Sequence, residues 1–123
     1  MAGKKELSSS LEDYLKAIYF LHKGDSSIRL VDIADQMSVS KPSAFGAISQ
    51  LAEQELVVHE KFGPVRMTDK GIEAAKLIVC KHEIIKRFLM SILDIGEKQA
   101  GSEACAIEHT ICDDTLAKMA EHI

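Results

Sequence analysis

The spacing of apolar residues predicts three helices in the first half of the chain. SSSLEDYLKAIYFLHK repeats its apolar residues at helical intervals, and a serine at its start can cap the helix. GDSS breaks this helix, and IRLVDIADQM then forms a shorter one. After the turn SVS, a third helix begins near Ser40, a good N-cap residue, with Pro42 in the first turn, where proline is tolerated.

A small β-hairpin is predicted after the third helix. Residues 56–61 have strand character, Gly63-Pro64 supplies turn chemistry, and residues 65–67 can return as a second strand. The sequence thus combines a pair of short helices with a hairpin that follows them directly.

Three more helices are predicted in the second half of the chain. Thr68 can cap a long helix that reaches Leu93, with its apolar residues in helical period. Another helix is expected over roughly Lys98 to Ile111, and Asp113 can cap a last short helix that ends at Ile123. The predicted fold class is therefore mainly α with a small β-hairpin.

The order helix, turn, helix, hairpin is that of a winged helix-turn-helix. In that arrangement the second helix of the pair inserts its N-terminal residues into the major groove of DNA. Hydroxyl groups there can contact phosphates or base edges, a lysine can contact phosphate, and apolar side chains can contact a thymine methyl group. The candidates for DNA contact are Ser40, Lys41, Pro42, Ser43, Phe45, Lys61 and Arg66. The same residues are also compatible with the solvated surface of a helical interaction domain.

Composition and charge change this prediction only modestly. The net charge of −4 argues against nucleic acid, but residues 94–123 carry seven acidic and two basic side chains, so residues 1–93 have a net charge of +1. The chain lacks the run of about 18 apolar residues that a membrane helix needs, and we expect no membrane partner. Three cysteines without a recognisable signal peptide are typical of a cytoplasmic protein.

Cys105, Glu108 and His109 form the pattern C-x-x-E-H. On a helix these positions fall within an arc of roughly 100°, so a thiol, a carboxylate and an imidazole would share one face. Such a face can hold a divalent metal ion. Taken alone, the triplet also fits a plainer interpretation, in which a buried cysteine, a surface acid and a hydrogen-bonded histidine have no common ligand. Cys80 and Cys112 are interpreted as packing residues on apolar faces.

Several motifs, in the same order along the chain, resemble the diphtheria toxin repressor family of metal-dependent regulators, including its manganese transport regulator branch. SLEDYLKAIYFL is similar to the first helix of that family, and VDIADQMSVSKPSAFGAISQLAEQELV to its helix-turn-helix. MTDKG resembles the exit from its wing, and KHEIIKRFL and EACAIEH resemble its dimerisation and metal-binding segment. The resemblance implies a winged helix-turn-helix DNA-binding domain over 1–74 and a helical dimerisation and metal-binding domain over 75–123. We expect no counterpart of the extra C-terminal domain of the family's long form.

The resemblance implies metal ligands that come from both branches of the family. Glu108 and His109 match ligands common to both branches, and His82 matches a ligand histidine in the long helix. Cys105 stands where the iron-responsive branch has cysteine and the manganese branch has glutamate. Asp13 stands where the family uses an aspartate or a methionine.

Three positions depart from the family pattern. Lys16 occupies the place of a ligand glutamate in the manganese branch, and an ammonium group cannot coordinate a metal. Lys86 and Gly101 stand where the iron branch places the glutamate and the histidine of an ancillary site. We therefore expect about one metal ion per subunit, and His82 could either join the remaining site or lie outside it.

The implied function is a metal-dependent DNA-binding repressor that controls metal-uptake genes. A thiolate in the ligand set favours Fe(II), with Mn(II) second and other divalent transition metals able to bind in vitro. The partners expected are a double-stranded DNA operator and a second copy of the chain, which would pack through Ile85, Phe88, Leu89 and Ile92.

Two other classes of function compete with this one. A winged-helix regulator that needs no metal could sense redox conditions through Cys105. An enzyme is not expected, because the sequence has no nucleophile elbow, phosphate-binding loop or H-E-x-x-H motif.

Overall fold

The computed structural model describes residues 7–24, 27–61 and 63–123, and within them the elements follow the predicted order. They are α1 (Ser9–Gly24), α2 (Leu30–Met37), α3 (Lys41–Glu53), β1 (Val57–His59), β2 (Val65–Met67), α4 (Asp69–Ser91), α5 (Glu97–Ile107) and α6 (Asp113–Glu121). The prediction of a mainly helical fold with a small hairpin is therefore confirmed. The predicted break GDSS includes residues 25 and 26, which lie outside the described residues. Within the described ranges, none of the helices combines the length and the apolar character that a membrane crossing requires.

The chain divides into two compact units, the first ending at Ala75 and the second spanning Lys76–Ile123. In the first unit, α3 begins as its sequence predicts. Ser40 has extended backbone angles, and its hydroxyl accepts a hydrogen bond from the Ser43 amide at 3.3 Å. Pro42 lies in the first turn, where its missing amide hydrogen costs nothing. The buried stripe of this helix consists of Ala44, Ala47, Ile48 and Leu51.

The helix α2 is shorter than predicted because Ile28 is not helical. Ile28 instead forms an isolated antiparallel bridge with Val65, and both of their amide–carbonyl hydrogen bonds are made, at 3.2 and 2.7 Å. At the other end, Ser38 adopts the left-handed conformation, with φ 57° and ψ 46°, and this ends the helix. The turn into α3 therefore has a definite geometry.

The hairpin is antiparallel, and Val58 pairs with Arg66 at its centre. Val57 and Val65 are buried, whereas Val58 and Arg66 face outward, as expected for strands with one solvated face. Gly71 in α4 lies against the chain that enters this hairpin. A β-carbon at Gly71 would stand only 2.9 Å from the carbonyl carbon of Leu56, so this contact requires glycine.

The second unit is a small helical domain. Its core consists of Ile85, Leu89, Ala100 and Ala104, against which partly buried apolar residues from α4, α5 and α6 pack. Ile85 and Leu89 had been predicted as dimer contacts, but they are 0 % and 6 % exposed within the single chain. Their role is therefore to hold α4 against α5 within the unit.

Two helix ends in this unit differ from the prediction. The helix α5 ends at Ile107, where hydrogen bonds between residues three apart replace the regular helical ones. The His109 amide donates to the Ala106 carbonyl, and the Thr110 hydroxyl donates to the Ile107 carbonyl. The N-cap of α6 is Cys112, whose backbone is extended, and Asp113 already lies in the first helical turn. An acid in that turn is favourable, because it faces the positive end of the helix dipole.

Candidate functional site

Glu108 is the only buried charged residue among those that the structure describes, and it is 1 % exposed. It follows the last residue of α5, and its amide still bonds to the Ala104 carbonyl at 2.9 Å, so it continues the helical face of Cys105. Burying a carboxylate is costly unless a positive group compensates it. Its neighbours must therefore supply that compensation.

Two imidazole rings bracket this carboxylate. Oε1 of Glu108 lies 2.9 Å from Nδ1 of His82, and Oε2 lies 3.5 Å from Nε2 of His109. Sγ of Cys105 lies 3.9 Å from the same Nδ1 of His82. Four of the five predicted ligands, His82, Cys105, Glu108 and His109, thus form one cluster within the second unit.

These four side chains are chemically suited to a transition-metal ion. They offer a carboxylate, two imidazoles and a thiol, a mixed set of hard and soft donors. The carboxylate is buried where a cation would offset its charge, so the residues present fit a divalent metal. Asp13, the fifth predicted ligand, lies in the second turn of α1 in the first unit, where it is half-buried.

Lys86, one of the two lysines that depart from the family pattern, lies beside this cluster. Nζ of Lys86 is 3.4 Å from a carboxylate oxygen of Glu97, and a β-carbon at Gly101 would lie 3.8 Å from the Lys86 side chain. His82 and Cys105 line a shallow pocket together with Lys86 and Gly101. An ammonium group at this position disfavours a second metal ion in the pocket, because two cations repel each other.

Two of the cysteines differ from their sequence interpretation. Cys80 and Cys112 are exposed, so neither is a packing residue. The hydroxyl of Thr115, 3.4 Å from Sγ of Cys112, lowers the pKa of that thiol below its usual value. Cys112 is therefore an accessible thiol outside the cluster.

The start of α3 presents the predicted DNA contacts to solvent. Lys41, Pro42 and Ser43 are exposed. The Ser40 hydroxyl donates to Oγ of Ser43 at 3.1 Å while it caps the helix, so its hydrogen is already used. The Ser43 hydroxyl accepts that bond and can still donate to a phosphate or a base.

The remaining predicted contacts lie further along α3 and in the wing. Phe45 is 52 % exposed and packs edge-to-face against His59, with ring centroids 5.8 Å apart. Lys61 is exposed near the hairpin turn. Nε of Arg66 donates to a carboxylate oxygen of Glu60 at 3.2 Å, so the positive charge of this arginine is partly neutralised by its own hairpin.

Sequence reasoning missed two residues of this surface. Arg29 and His59 line a groove in the first unit together with Phe45 and Lys61. The hydrogen bond and charge of Asp32 raise the pKa of Arg29 further above its usual value, so it remains a cation. Its position just before α2 was the available signal, but only the fold brings it to the same groove as the wing.

Comparison with known proteins identifies the family. The pattern of the N-terminal DNA-binding domain of iron-dependent repressors matches residues 6–65, and that of their metal-binding and dimerisation domain matches residues 68–123. A helix-turn-helix transcriptional regulator of Methanocaldococcus jannaschii is 34% identical over 114 residues, which cover 92% of this chain and 91% of that regulator. The chain belongs to the iron-dependent repressor family.

A transcriptional regulator of Bacillus subtilis and a solved manganese-dependent repressor are also similar to this chain. The transcriptional regulator MntR of Bacillus subtilis is 28% identical over 112 residues, which cover 91% of this chain and 78% of MntR. A solved manganese-dependent transcriptional repressor in complex with manganese superimposes with a TM-score of 0.81 at 31% identity, covering 91% of this chain and 51% of the repressor. This iron-dependent repressor family member thus spans about half the length of that protein.

Family membership confirms the order of a winged helix-turn-helix and a helical metal-binding and dimerisation domain. It also confirms that the chain is a metal-dependent DNA-binding regulator. The alternative of a metal-independent regulator that senses redox conditions through Cys105 is not supported. The roles of individual residues remain predictions, as does the identity of the metal.

Proposed function

We propose that this protein is a cytoplasmic, homodimeric repressor of metal-uptake genes, and that it binds its DNA operator in the metal-loaded form. The observation that carries the proposal is the buried carboxylate of Glu108 between two imidazoles, in a chain whose other unit is a DNA-binding domain. The proposal therefore assigns metal binding to the second unit and DNA contact to the first.

The metal-binding residues that we propose are His82, Cys105, Glu108 and His109, and the family resemblance adds Asp13. A bound divalent ion supplies the positive charge that offsets the buried carboxylate. Asp13 belongs to the DNA-binding unit, and we propose that metal binding changes DNA affinity through it. Coupling between two binding sites is typically worth about 1–3 kcal/mol, or roughly 5- to 150-fold in affinity.

The thiol of Cys105 makes Fe(II) our first choice of metal, with Mn(II) second. Thiolate ligands suit Fe(II), whereas Mn(II) prefers oxygen donors. The similar repressor solved with manganese argues for Mn(II) instead. Because Cys105→Glu replaces a thiol with a carboxylate, it should shift the metal preference toward Mn(II). Anaerobic calorimetric titrations of the wild type and of Cys105→Glu with Fe(II) and with Mn(II) would measure this shift.

DNA recognition is proposed to occur through the start of α3 and through the wing. The exposed residues at the start of α3 are Lys41, Pro42, Ser43 and Phe45, and Lys61 and Arg66 would extend the contact along the phosphate backbone. In a two-fold dimer, the two recognition helices would fit half-sites about 34–36 Å apart or multiples of that spacing. The operator should accordingly be a palindrome.

The proposal is tested by selecting a duplex from a random-sequence DNA library with the wild-type protein and Mn(II). The affinity for this selected duplex is then measured anaerobically with Fe(II), with Mn(II), with Zn(II) and with a chelator. We expect binding to be at least about tenfold weaker in the chelator. Equal affinity in all four conditions would contradict metal-dependent repression.

A further inference from the structure

Gly46 lies in the interior of α3, where glycine is an unfavourable choice. Glycine lowers the stability of a helix relative to alanine, because it gives up more backbone freedom on folding. A close packing contact inside the protein could justify that loss. For Gly46 the described residues provide none, since a β-carbon added there would meet no atom of theirs within 4 Å apart from its own stretch of helix.

The contrast with Gly71 shows what an internal reason looks like. A β-carbon at Gly71 would collide with the backbone of Leu56, so the fold itself excludes a side chain there. Gly46 is exposed and has open space around it. The described residues therefore give no internal reason for an absent side chain at Gly46, which leaves a molecule that binds this surface as the candidate.

The position of Gly46 indicates which molecule this is. The buried stripe of α3 includes Ala44 and Ile48, and helical geometry places position 46 about 160° away from each of them. Gly46 follows Pro42 and Ser43 by one turn, so it continues the face that these two residues present. This is the face through which a helix-turn-helix approaches DNA.

We propose that Gly46 is a contact residue for DNA, and that its missing side chain lets the backbone of α3 approach the edges of the base pairs in the major groove. This inference rests on the proposed placement of the DNA contacts at the start of α3. Glycine at position 46 thus lowers the stability of α3 but allows the helix to lie closer to its operator. A side chain at position 46 would occupy the space between the helix and the bases.

The proposal predicts that stability and specific DNA binding change in opposite directions. Gly46→Ala should raise the melting temperature by about 2–4 °C, because alanine is the better helix former and has room in the free protein. Its affinity for the selected duplex should fall about tenfold, and that of Gly46→Leu about 100-fold, because a larger side chain holds the helix further away. Affinity for an unrelated duplex should change little, since nonspecific binding depends on phosphate contacts.

The control is Gln99→Ala, a substitution to alanine at an exposed position of α5 in the other unit. Gln99 hydrogen-bonds only to the exposed Glu103 among the contacts described for it, so its replacement should leave the affinity for the selected duplex close to that of the wild type at saturating Mn(II). Unchanged specific affinity in Gly46→Ala and Gly46→Leu would overturn the inference and leave the proposed function intact. Selection of no duplex at all by the wild type would overturn both, whereas selection of the same duplex with and without metal would overturn only the metal dependence.

Discussion

Glu108 places a strong constraint on its surroundings, because a carboxylate that is almost completely buried needs positive charge nearby. His82 and His109 lie against this carboxylate, and a metal ion in the cluster would supply the positive charge directly. Because metal ligands must be deprotonated, metal affinity should fall as the pH falls.

Glu108→Gln should reduce metal affinity by about 100-fold or more while the fold is kept. Loss of a residue that merely supports a metal ligand typically costs about 10- to 100-fold, so loss of a ligand should cost at least as much. Glutamine has nearly the same shape and can accept a hydrogen bond from His82. Calorimetric titration with Mn(II) measures the affinity, and circular dichroism checks the fold.

The control for this substitution is Glu103→Gln on the same helix. Glu103 is exposed and hydrogen-bonds to Gln99 at 3.2 Å, so its replacement removes the same charge from α5 without touching the cluster. We expect its metal affinity to match the wild type. A comparable loss in both variants would mean that general charge, and not ligation by Glu108, attracts the metal.

The cluster could be predicted from the sequence only in part. The spacing of Cys105, Glu108 and His109 was sufficient to place three groups on one helical face, since Glu108 still has helical backbone angles. That spacing carried no information about His82, which is 26 positions away from Glu108 along the chain. Only the resemblance to a family pointed to His82, because the packing of α4 against α5 is a tertiary property.

The elements show the same division between local and nonlocal information. The start of α3 depends on Ser40 and Pro42, which act within one turn, and its position was predicted correctly. The predicted start of α2 lies too close to the N-terminus, because Ile28 pairs with Val65 of the hairpin and is not helical. Element ends that are set by distant strands cannot be read from local apolar spacing.

At the start of α3, Ser43→Glu should weaken binding to the selected duplex without weakening the helix. Glutamate at this position forms a capping box with Ser40, which favours the helix, but it places a negative charge beside the DNA phosphates. We expect DNA affinity to fall at least about tenfold, which is about the free energy of one lost charge-assisted contact. Metal affinity should stay unchanged. Fluorescence anisotropy and calorimetry measure the two quantities, and unaltered DNA affinity would show that the recognition helix is misplaced.

In the hairpin, Glu60→Gln should strengthen DNA binding. The ion pair between Arg66 and Glu60 is half exposed and contributes little to stability, but it occupies the guanidinium that we propose as a phosphate contact. Without it, DNA affinity should rise a few fold, and the slope of log affinity against log salt should steepen by about one.

The matched control for the hairpin is Glu73→Gln, an exposed acid in α4 of the same unit. It removes the same charge without releasing an arginine, so the salt dependence should stay close to that of the wild type. Equal changes in the two variants would argue that net charge alone, and not Arg66, controls the affinity.

For the whole molecule, we propose a revised dimer surface at the end of α4. Ile85 and Leu89 are buried in the core of the second unit, whereas Met90, Ile92 and Leu93 are exposed. Exposed apolar side chains that follow each other so closely are typical of a protein–protein interface. These residues lie within the part of the chain, residues 68–123, that matches the metal-binding and dimerisation domain of the family.

The double substitution Ile92→Lys with Leu93→Lys should convert the dimer into a monomer, because it buries two charges in the proposed interface. Sedimentation at micromolar concentration measures the mass, and Leu77→Lys, which alters an exposed leucine nearer the start of the unit, serves as the control. A wild type that sediments as a monomer with and without metal would contradict the dimer itself. A double variant that remains a dimer would place the interface elsewhere.

The central claim is that a metal ion held by the cluster around Glu108 controls DNA binding, and His109→Ala tests it most directly. His109 contacts Glu108 in the second unit and belongs to none of the proposed DNA contacts. The measurement is the affinity for the selected duplex as Mn(II) is added, in the wild type and in His109→Ala. The account predicts that Mn(II) strengthens binding by the wild type at least about tenfold and leaves binding by His109→Ala at its metal-free level. The same strengthening by Mn(II) in both proteins would contradict it.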